Sequence, residues 1–475
     1  MATNNTDILR RELMTRIVRL LDQGKLLEEV DDIPYVMRPR DGIVTRCCIY
    51  KDRAMLKFRT MGVLGYGIDD EKDERTRLSE YCSEAFERTA VGKTPISVMT
   101  DACSACVKVN YVVTNMCRGC VARPCESNCN KNAIFFANGQ AHIESSKCVN
   151  CGLCMKNCPF HAIIFQPVPC EESCPVGAIS KDENGKEKID HSKCIYCGRC
   201  ISACPFGAVI ERSHIIDIYR SIKDEGQKTI AIVAPAIAGQ FKAPLANILS
   251  AIQKIGFDEV VEVAKGADIT TENEAAEFIE KMEAGEPFMT TSCCPSYYRL
   301  AAKHIPEIKP FVSHTRSPMY YAAEVVRREN PDAKIVFIGP CLAKRHEAYS
   351  DPNVDFVLSF EEVGTALVAL NININAETRF TLDSTIDPSS RGYAATAGVA
   401  AAVQKKVGDR MEMTPIVVNG INKQTIRELR GYTKSCPGNM VEVMACEGGC
   451  VNGCNVIANP KVATRQVQQA ASLKV

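Results

Sequence analysis

From about Thr229 onward, β-branched and aliphatic runs alternate with stretches of helical periodicity, the pattern of an α/β body. Four of these runs stop at chemically suggestive residues. Ile230–Val233 ends at Ala234-Pro235-Ala236, and Phe288–Thr291 at Ser292-Cys293-Cys294-Pro295. Ile335–Ile338 ends at Gly339-Pro340-Cys341, and Val441–Ala445 at Cys446. Ligands of open α/β sheets sit beyond the carboxyl ends of strands, so the four ends are expected to converge on one buried site. The longest unbroken apolar stretches, around 230–238 and 394–403, fall well short of the roughly 18 residues that suggest a membrane span. Met1–Leu21 spreads four arginines and two acids through its apolar residues, so it lacks the apolar core of a secretory signal. A cytoplasmic chain without a membrane span is the expectation.

A chain of 475 residues, 46% hydrophobic, can bury several cores and predicts two to four soluble domains. Lys+Arg and Asp+Glu both number 57, a balance that points to no nucleic-acid or lipid partner. Cysteine changes the picture: there are 26. A disulfide scaffold would be a short secreted chain, so metal binding is the better reading of this count. Three cysteines lie in 1–102 (Cys47, Cys48, Cys82), sixteen in 103–204 and seven in 205–475. A dense electron-wiring module therefore precedes a sparser body, with domains expected at 101–213 and 214–475 behind an N-terminal region, 1–100, of unassigned role. Cys47, Cys48 and Cys82 are expected to be small buried side chains.

Two runs repeat one another: Cys148, Cys151, Cys154, Cys158-Pro159 and Cys194, Cys197, Cys200, Cys204-Pro205. The spacing C-x2-C-x2-C-x3-C-P is that of bacterial ferredoxin [4Fe–4S] sites, in which the fourth cysteine reaches a neighbouring cluster. Gly152 and Gly198 suit the tight backbone of these turns. Two degenerate copies extend the array. Cys117, Cys120, Cys125 and Cys129 carry two extra residues before the third cysteine, and Cys170 with Cys174-Pro175 keeps only the tail. Stacked ferredoxin-like α+β units are expected. If each fourth cysteine crosses over, Cys117, Cys120, Cys125 and Cys158 form one group and Cys148, Cys151, Cys154 and Cys129 a second. Cys194, Cys197, Cys200 and Cys174 form a third. Cys170 and Cys204 then hold half a site, which only Cys103-x2-Cys106 is near enough to complete, although that pair read alone is equally a redox pair or half a zinc site. Two to four accessory cubanes follow.

Thr291-Ser-Cys-Cys-Pro295, Gly339-Pro-Cys-Leu-Ala-Lys-Arg-His-Glu347 and Met444-Ala-Cys-Glu-Gly-Gly-Cys450 resemble the three signatures of [FeFe] hydrogenases, in order and at family spacing. The resemblance takes in Ser213-His214 and Ala234-Pro235-Ala236 and covers roughly 150–460. It implies a hydrogenase α/β catalytic domain whose H-cluster is a [4Fe–4S] cubane on Cys294, Cys341, Cys446 and Cys450. The last thiolate would bridge to a two-iron subsite carrying CO, cyanide and an azadithiolate. By the same resemblance Lys344 partners a cyanide, the Ala234–Ala236 backbone and Met444 pack beside it, and Cys293, Glu274, Ser313 and Glu277 form the proton path. Glu274 and Glu277 are i,i+3 neighbours on a predicted helix. The implied partners are H2 and protons, a ferredoxin-like electron carrier, and dedicated maturation proteins for the two-iron subsite.

The chain departs from the family pattern around the ligands. Gly339 stands where methionine is common, Tyr297 where tryptophan is, Met319 where many members have glutamine, Glu447 in place of a proline, and Cys454 within a glycine run. Gly339 and Met319 are expected to leave the two-iron pocket with fewer steric and polar restraints. Cys436 and Cys454 match no family role. The function implied is reversible H2 oxidation with electrons relayed through the cubanes. Two alternatives are a hydrogenase-like iron–sulfur assembly factor lacking the two-iron subsite and a hydrogen sensor. Retention of Cys293, Lys344 and Glu347 argues against the first, and the short stretch after Cys454 leaves no room for a signalling domain.

Overall fold

A computed structural model describes residues 4–71, 73–92, 94–106, 111–377 and 380–473. The chain opens on helices. Asn4 caps the helix Asn5–Asp22 in a reciprocal box with Asp7. Its apolar face, Leu13, Met14, Ile17, Val18 and Leu21, is buried. The helices Ile49–Val63 and Leu78–Glu87 follow, and the apolar core of all three runs unbroken into that of the α/β body. Arg10 and Arg11 fasten the first helix to Glu361 of the helix Phe360–Ala369 at 2.6 and 2.7 Å.

The cysteine-dense region is built from eight short strands. They are β1 (Ile96–Val98), β2 (Tyr111–Val113), β3 (Ile134–Ala137), β4 (Gln140–Ile143), β5 (Ile163–Phe165), β6 (Ile179–Lys181), β7 (Glu187–Ile189) and β8 (Val209–Glu211). All pair antiparallel: β2 with β5 around the hairpin β3–β4, and β1 with β8 around the hairpin β6–β7. This is one ferredoxin-like unit, 111–165, inserted into a second that starts at β1 and closes at β8. The insertion explains why Cys170 and Cys174 read as a tail alone: their head, Cys103 and Cys106, precedes the inserted unit. The turn glycines Gly152 and Gly198 take φ of 77° and 76°, where a side chain is costly.

The body holds two parallel sheets. One is β10 (Glu259–Glu262), β9 (Thr229–Val233), β12 (Lys334–Gly339) and β13 (Phe356–Ser359), in that order. The other is β11 (Met289–Thr290), β15 (Met440–Met444) and β14 (Pro415–Asn419). The continuous apolar runs of β9 and β12 are buried on both faces, as parallel strands covered by helices are. The four strand ends converge as expected, but from two sheets, with Ile338 level with Val233 in one and Thr290 with Val441 in the other. Gly266 of the helix Ala264–Glu283 lets the helix Pro318–Glu329 cross it closely, since a Cβ there would stand 2.2 Å from the Pro318 carbonyl. Among the described residues no helix is long and apolar enough to cross a membrane.

Buried ion pairs join the pieces. Arg345, 1% exposed, reaches Glu211 of β8 at 3.2 Å and Glu362 at 2.7 Å. Nearby, His214 accepts from the Val357 amide at 3.1 Å, and burial together with Arg345 holds its pKa well below the ordinary value. Arg345→Ala would leave two buried carboxylates unpaired and is expected to cost about 3–5 kcal/mol. Denaturant midpoints of the parent and the variant check this.

Candidate active site and thiol clusters

The strand ends deliver their residues to helix starts. Cys294 is the N-cap of the helix Pro295–His304 and Cys341 that of Leu342–Ala348, so free amides and the positive end of each helix face the thiols. Burial raises the Cys294 pKa while the Tyr297, Ala445 and Ser296 amides and the Lys344 ammonium pull it down. Cys446 follows β15, and Cys450 starts a short turn of helix one tight loop later. These four thiols share one neighbourhood. Burial drives Cys446 well above the usual range, and Cys341, Cys450 and Cys294 add to it.

They line a cavity of about 100 Å³ together with Cys293, the Ala234–Ala236 segment, Met444 and Met319. Apart from the thiols its polar groups are Lys344, Tyr393 and Ser296. Lys344 is largely buried with Nζ 2.8 Å from Glu347, which in turn accepts from Ser317 at 2.7 Å. An apolar chamber with one cation suits an anionic group bound to thiolates. The donor set thus fits a cubane extended by a subsite carrying anionic ligands, with Cys294, Cys341, Cys446 and Cys450 as the residues able to hold it.

Behind Cys293 lie the two glutamates. Glu274 is fully buried; burial and the charges of Glu277 and Glu442 raise its carboxyl to about 8 against the Ser292 amide, which donates to it at 3.1 Å. At pH 7 this carboxyl keeps its proton. Glu277 is opposite: although partly buried, it is held below its ordinary value by Ser313, the His314 amide, Lys281 and Thr315. Ser313 donates to Glu277 at 2.6 Å and exposed His314 touches it at 3.0 Å, opening that end to solvent. Among the described residues no hydrogen bond joins Glu274 to Ser313 directly. Ser292 and Thr315 span the gap: the Ser292 hydroxyl reaches Glu274 at 3.4 Å and the Thr315 carbonyl at 2.5 Å, and the Thr315 amide donates to Ser313 at 3.1 Å.

Several residues here carried no signal that the pattern analysis used. Glu442, 0% exposed, caps the helix Gly398–Val407 through the Ala397 and Ala400 amides at 2.7 and 2.8 Å, and its charge disfavours ionisation of Cys293 and Glu274. Its place two residues before Met444 in the third signature was the available clue. Tyr393 bonds Thr271 at 2.6 Å and lines the chamber. Phe337 overturns the expectation for Gly339. A Cβ at 339 would stand 2.4 Å from the Phe337 ring, so aromatic carbon already fills the space that the glycine vacates.

Several accessory thiols lie beside the neighbours that crossing would give them. Burial pushes Cys170 up to about 12, with Cys204 among the neighbours contributing, and Cys106 feels Cys103 and Cys204. Cys194 rises to about 11 through burial, with Cys197 and Cys174 beside it, and Cys200 meets Cys197, Cys194 and Cys174. In the inserted unit Cys125 lies by Cys158 and Cys120, and Cys154 by Cys148 and Cys151; Cys117 and Cys129 pack on the same apolar patch. The fourth cysteine of each run accepts the same amide four residues on: Ala133 to Cys129, Ala162 to Cys158, Ala178 to Cys174 and Ala208 to Cys204, at 3.2–3.4 Å. Such N–H···S bonds stabilise added negative charge on a cluster. Among the described residues no three His, Cys, Asp or Glu close on a point as ligands of one ion do.

Cys197 of the third group lines the chamber itself. So does Cys454, whose Sγ would meet a Cβ at Gly198 at 2.4 Å and whose charge is felt by both Cys200 and Cys341. It therefore stands between the two thiol groups. Cys436 is filler beside a core that includes Val418 and Leu429. Of the N-terminal cysteines only Cys82 is buried as expected. Cys47 is exposed and Cys48 is the N-cap of the helix Ile49–Val63, because both precede the first buried turn.

The family model for the iron-only hydrogenase large subunit, C-terminal domain, matches residues 227–454. A 4Fe-4S dicluster domain matches 169–208 and a 4Fe-4S binding domain 141–164. Iron hydrogenase 1 of Clostridium pasteurianum is 28% identical over 302 residues, 51% of this chain and 52% of that protein. The chain thus spans about half the length of that relative. The periplasmic [Fe] hydrogenase large subunit of Nitratidesulfovibrio vulgaris is 28% identical over 370 residues, 66% of this chain and 85% of the relative. The cytosolic Fe-S cluster assembly factor NAR1 of Eremothecium gossypii is 22% identical over 263 residues, 42% of this chain and 58% of that protein. A solved [FeFe]-hydrogenase HydA1 from Chlamydomonas reinhardtii aligns with a TM-score of 0.46 at 21% identity, covering 55% of this chain and 89% of that one.

The Phe337 contact yields a test that needs no bound group. Gly339→Met alone is expected to lose about 1–3 kcal/mol by overpacking. Combining it with Phe337→Val should restore most of that loss in a thermal melt.

Proposed function

The chain belongs to the [FeFe] hydrogenase-like family, and from that premise we propose that it interconverts H2 with two protons and two electrons. The observation that carries this reading is the single buried chamber in which Cys294, Cys341, Cys446 and Cys450 meet Cys293 and Lys344. A cubane on those four thiolates, joined to a two-iron subsite with CO, cyanide and azadithiolate, would supply the centre at which H2 is split or formed. Lys344, held by Glu347, offsets the charge of cyanide in an apolar surround and so orients the subsite. Met444, Met319 and the Ala234–Ala236 segment exclude water from it.

Cys293 holds the proton next to the reacting centre. Glu274, neutral at pH 7, exchanges it with the Ser292 hydroxyl, and Ser313 and Thr315, which both donate to Glu277, carry it on to His314 at the surface, with a water needed between the two halves because the Thr315 carbonyl and amide that span them do not relay protons. The two carboxyls divide the work because burial raises one and hydrogen bonds lower the other. Electrons take another wall of the chamber, through the group of Cys194, Cys197, Cys200 and Cys174, then the group closed by Cys204, and outward through the inserted unit to a ferredoxin-like carrier. The unit 101–213 is the relay and 214–475 the catalytic domain, with dedicated maturation proteins supplying the two-iron subsite.

The assembly-factor reading, which the likeness to NAR1 keeps in view, needs cubanes but no diatomic ligands. Infrared spectroscopy of protein matured in cells that make the subsite separates the two. Bands of iron-bound CO and cyanide are expected, and cubanes without them would sink the hydrogenase reading. In that matured protein Cys293→Ala should keep the bands and the cubane while losing turnover by about 10²–10⁴-fold, the range of a removed proton donor. Ordinary H2 evolution by the variant would send the proton by another route.

A further inference from the structure

Burial leaves the N-terminal helices with a charge problem. Arg59, on the helix Ile49–Val63, lays its guanidinium on Gly207, donating to the Phe206 and Gly207 carbonyls at 3.1 and 3.3 Å. Its Nε is buried and makes no hydrogen bond, and among the described residues no carboxylate pairs with it. Acids that line the same pocket are already paired: Glu361 with Arg10 and Arg11, and Glu211 with Arg345. Burial and the like charges of Arg46, Arg10 and Arg38 push its pKa down to about 10, and among its nearest charged neighbours Cys204 alone opposes this. Arg46 shares one of these carbonyls. It bonds the Phe206 carbonyl at 2.8 Å and the Ala102 carbonyl at 3.4 Å, and it too has no carboxylate partner among the described residues. A partly buried cation without an anion is costly, so something negative is expected to face this pair.

The two arginines clamp Ala102-Cys103 and Cys204–Gly207, which bring in two of the four thiols of one group. The other charged groups around that group add one further cation and an ion pair. Lys186 bonds the Cys103 carbonyl at 2.7 Å, while Lys181 and Glu187 pair with each other at 2.7 Å. We propose that Arg46 and Arg59 are the counter-ions of a [4Fe–4S] cluster held by Cys103, Cys106, Cys170 and Cys204, and that through them the N-terminal helices raise its reduction potential above that of the other accessory clusters. This rests on the reading that the four cysteines hold a cluster. A cubane with four thiolates is an anion whose charge grows by one on reduction, so a fixed cation favours the reduced form. The arginines are positioning residues: they touch the carbonyls flanking the ligands and leave the bonds to iron to the cysteines.

The test uses the full chain with its cubanes reconstituted anaerobically and needs neither the two-iron subsite nor turnover. A Mössbauer iron count on the parent comes first: four accessory cubanes and the one on Cys294 are expected. A count one cubane short, with no signal lost in Cys170→Ser, overturns the cluster reading itself and this inference with it. A redox titration followed by EPR then compares the parent with Arg46→Gln/Arg59→Gln, in which the amides can still donate to the carbonyls. The Cys170-dependent signal should shift at least tenfold toward the oxidised form at fixed potential, about 59 mV for one electron. The other signals should stay put, and Arg59→Lys should titrate close to the parent. Unmoved potentials at full iron content, or Arg59→Lys shifted as far as the glutamine variant, would make the arginines carbonyl clamps only.

Discussion

Thiol groups in this chain are completed by a cysteine from a distant stretch, and most of the architecture follows from that closure. Cys204 reaches back to Cys103 and Cys106 across an entire inserted unit, while Cys174 crosses the other way to Cys194, Cys197 and Cys200. The crossing can be made only if β1 and β8 are paired, and they are, residue for residue from Ile96 to Val98. In the catalytic body the same rule holds on a larger scale. Cys294, Cys341 and Cys446 come from the ends of three strands in two sheets, and they meet because parallel strands all point their carboxyl ends one way.

What could be read from the sequence was what is local in it. The tight runs from Cys148 and Cys194 declare themselves by spacing alone, and the apolar runs that became β9, β12 and β15 were bounded to within a residue or two. The head of the broken run at Cys103 was reached by counting leftover thiols, since no pattern spans the insertion that parts Cys106 from Cys170. Two sheets in place of one were not legible either, because β11 and β15 are as apolar as β9 and β12 and their pairing is a matter of tertiary contact. At the chamber, Gly339 suggested space, but the ring that fills it belongs to Phe337, whose side chain falls on the same face of the strand two residues earlier. Glu442 escaped because a buried carboxylate bonded to two helix amides looks in sequence like any glutamate.

Burying charge is the recurring expense of this fold, and it is met in three ways. Ion pairs serve where both partners belong to the protein, as with Arg345 between Glu211 and Glu362 or Arg391 against Glu262 at 2.8 Å. Helix starts serve where the anion is a thiol or a carboxylate, as at Cys294, Cys341 and Glu442. The third way leaves a protein cation incompletely matched, as at Arg59 and, inside the chamber, at Lys344, whose one carboxylate neighbour also binds Ser317. Both of these cations stand beside thiol groups.

The surroundings of the chamber also divide into a polar side and a thiol side. Polar side chains gather behind Cys293, where Ser313 and Thr315 donate to Glu277 and exposed His314 meets the same carboxylate. An electron relay needs closeness between centres and gains nothing from polar groups, and the wall bearing Cys197 and Cys454 is thiol packed against glycine. Gly198 matters for that reason: any side chain there would drive Cys454 back from the accessory group and widen the gap. Cys454, the most conspicuous departure from the family's glycine run, thus stands between the accessory thiols and the chamber.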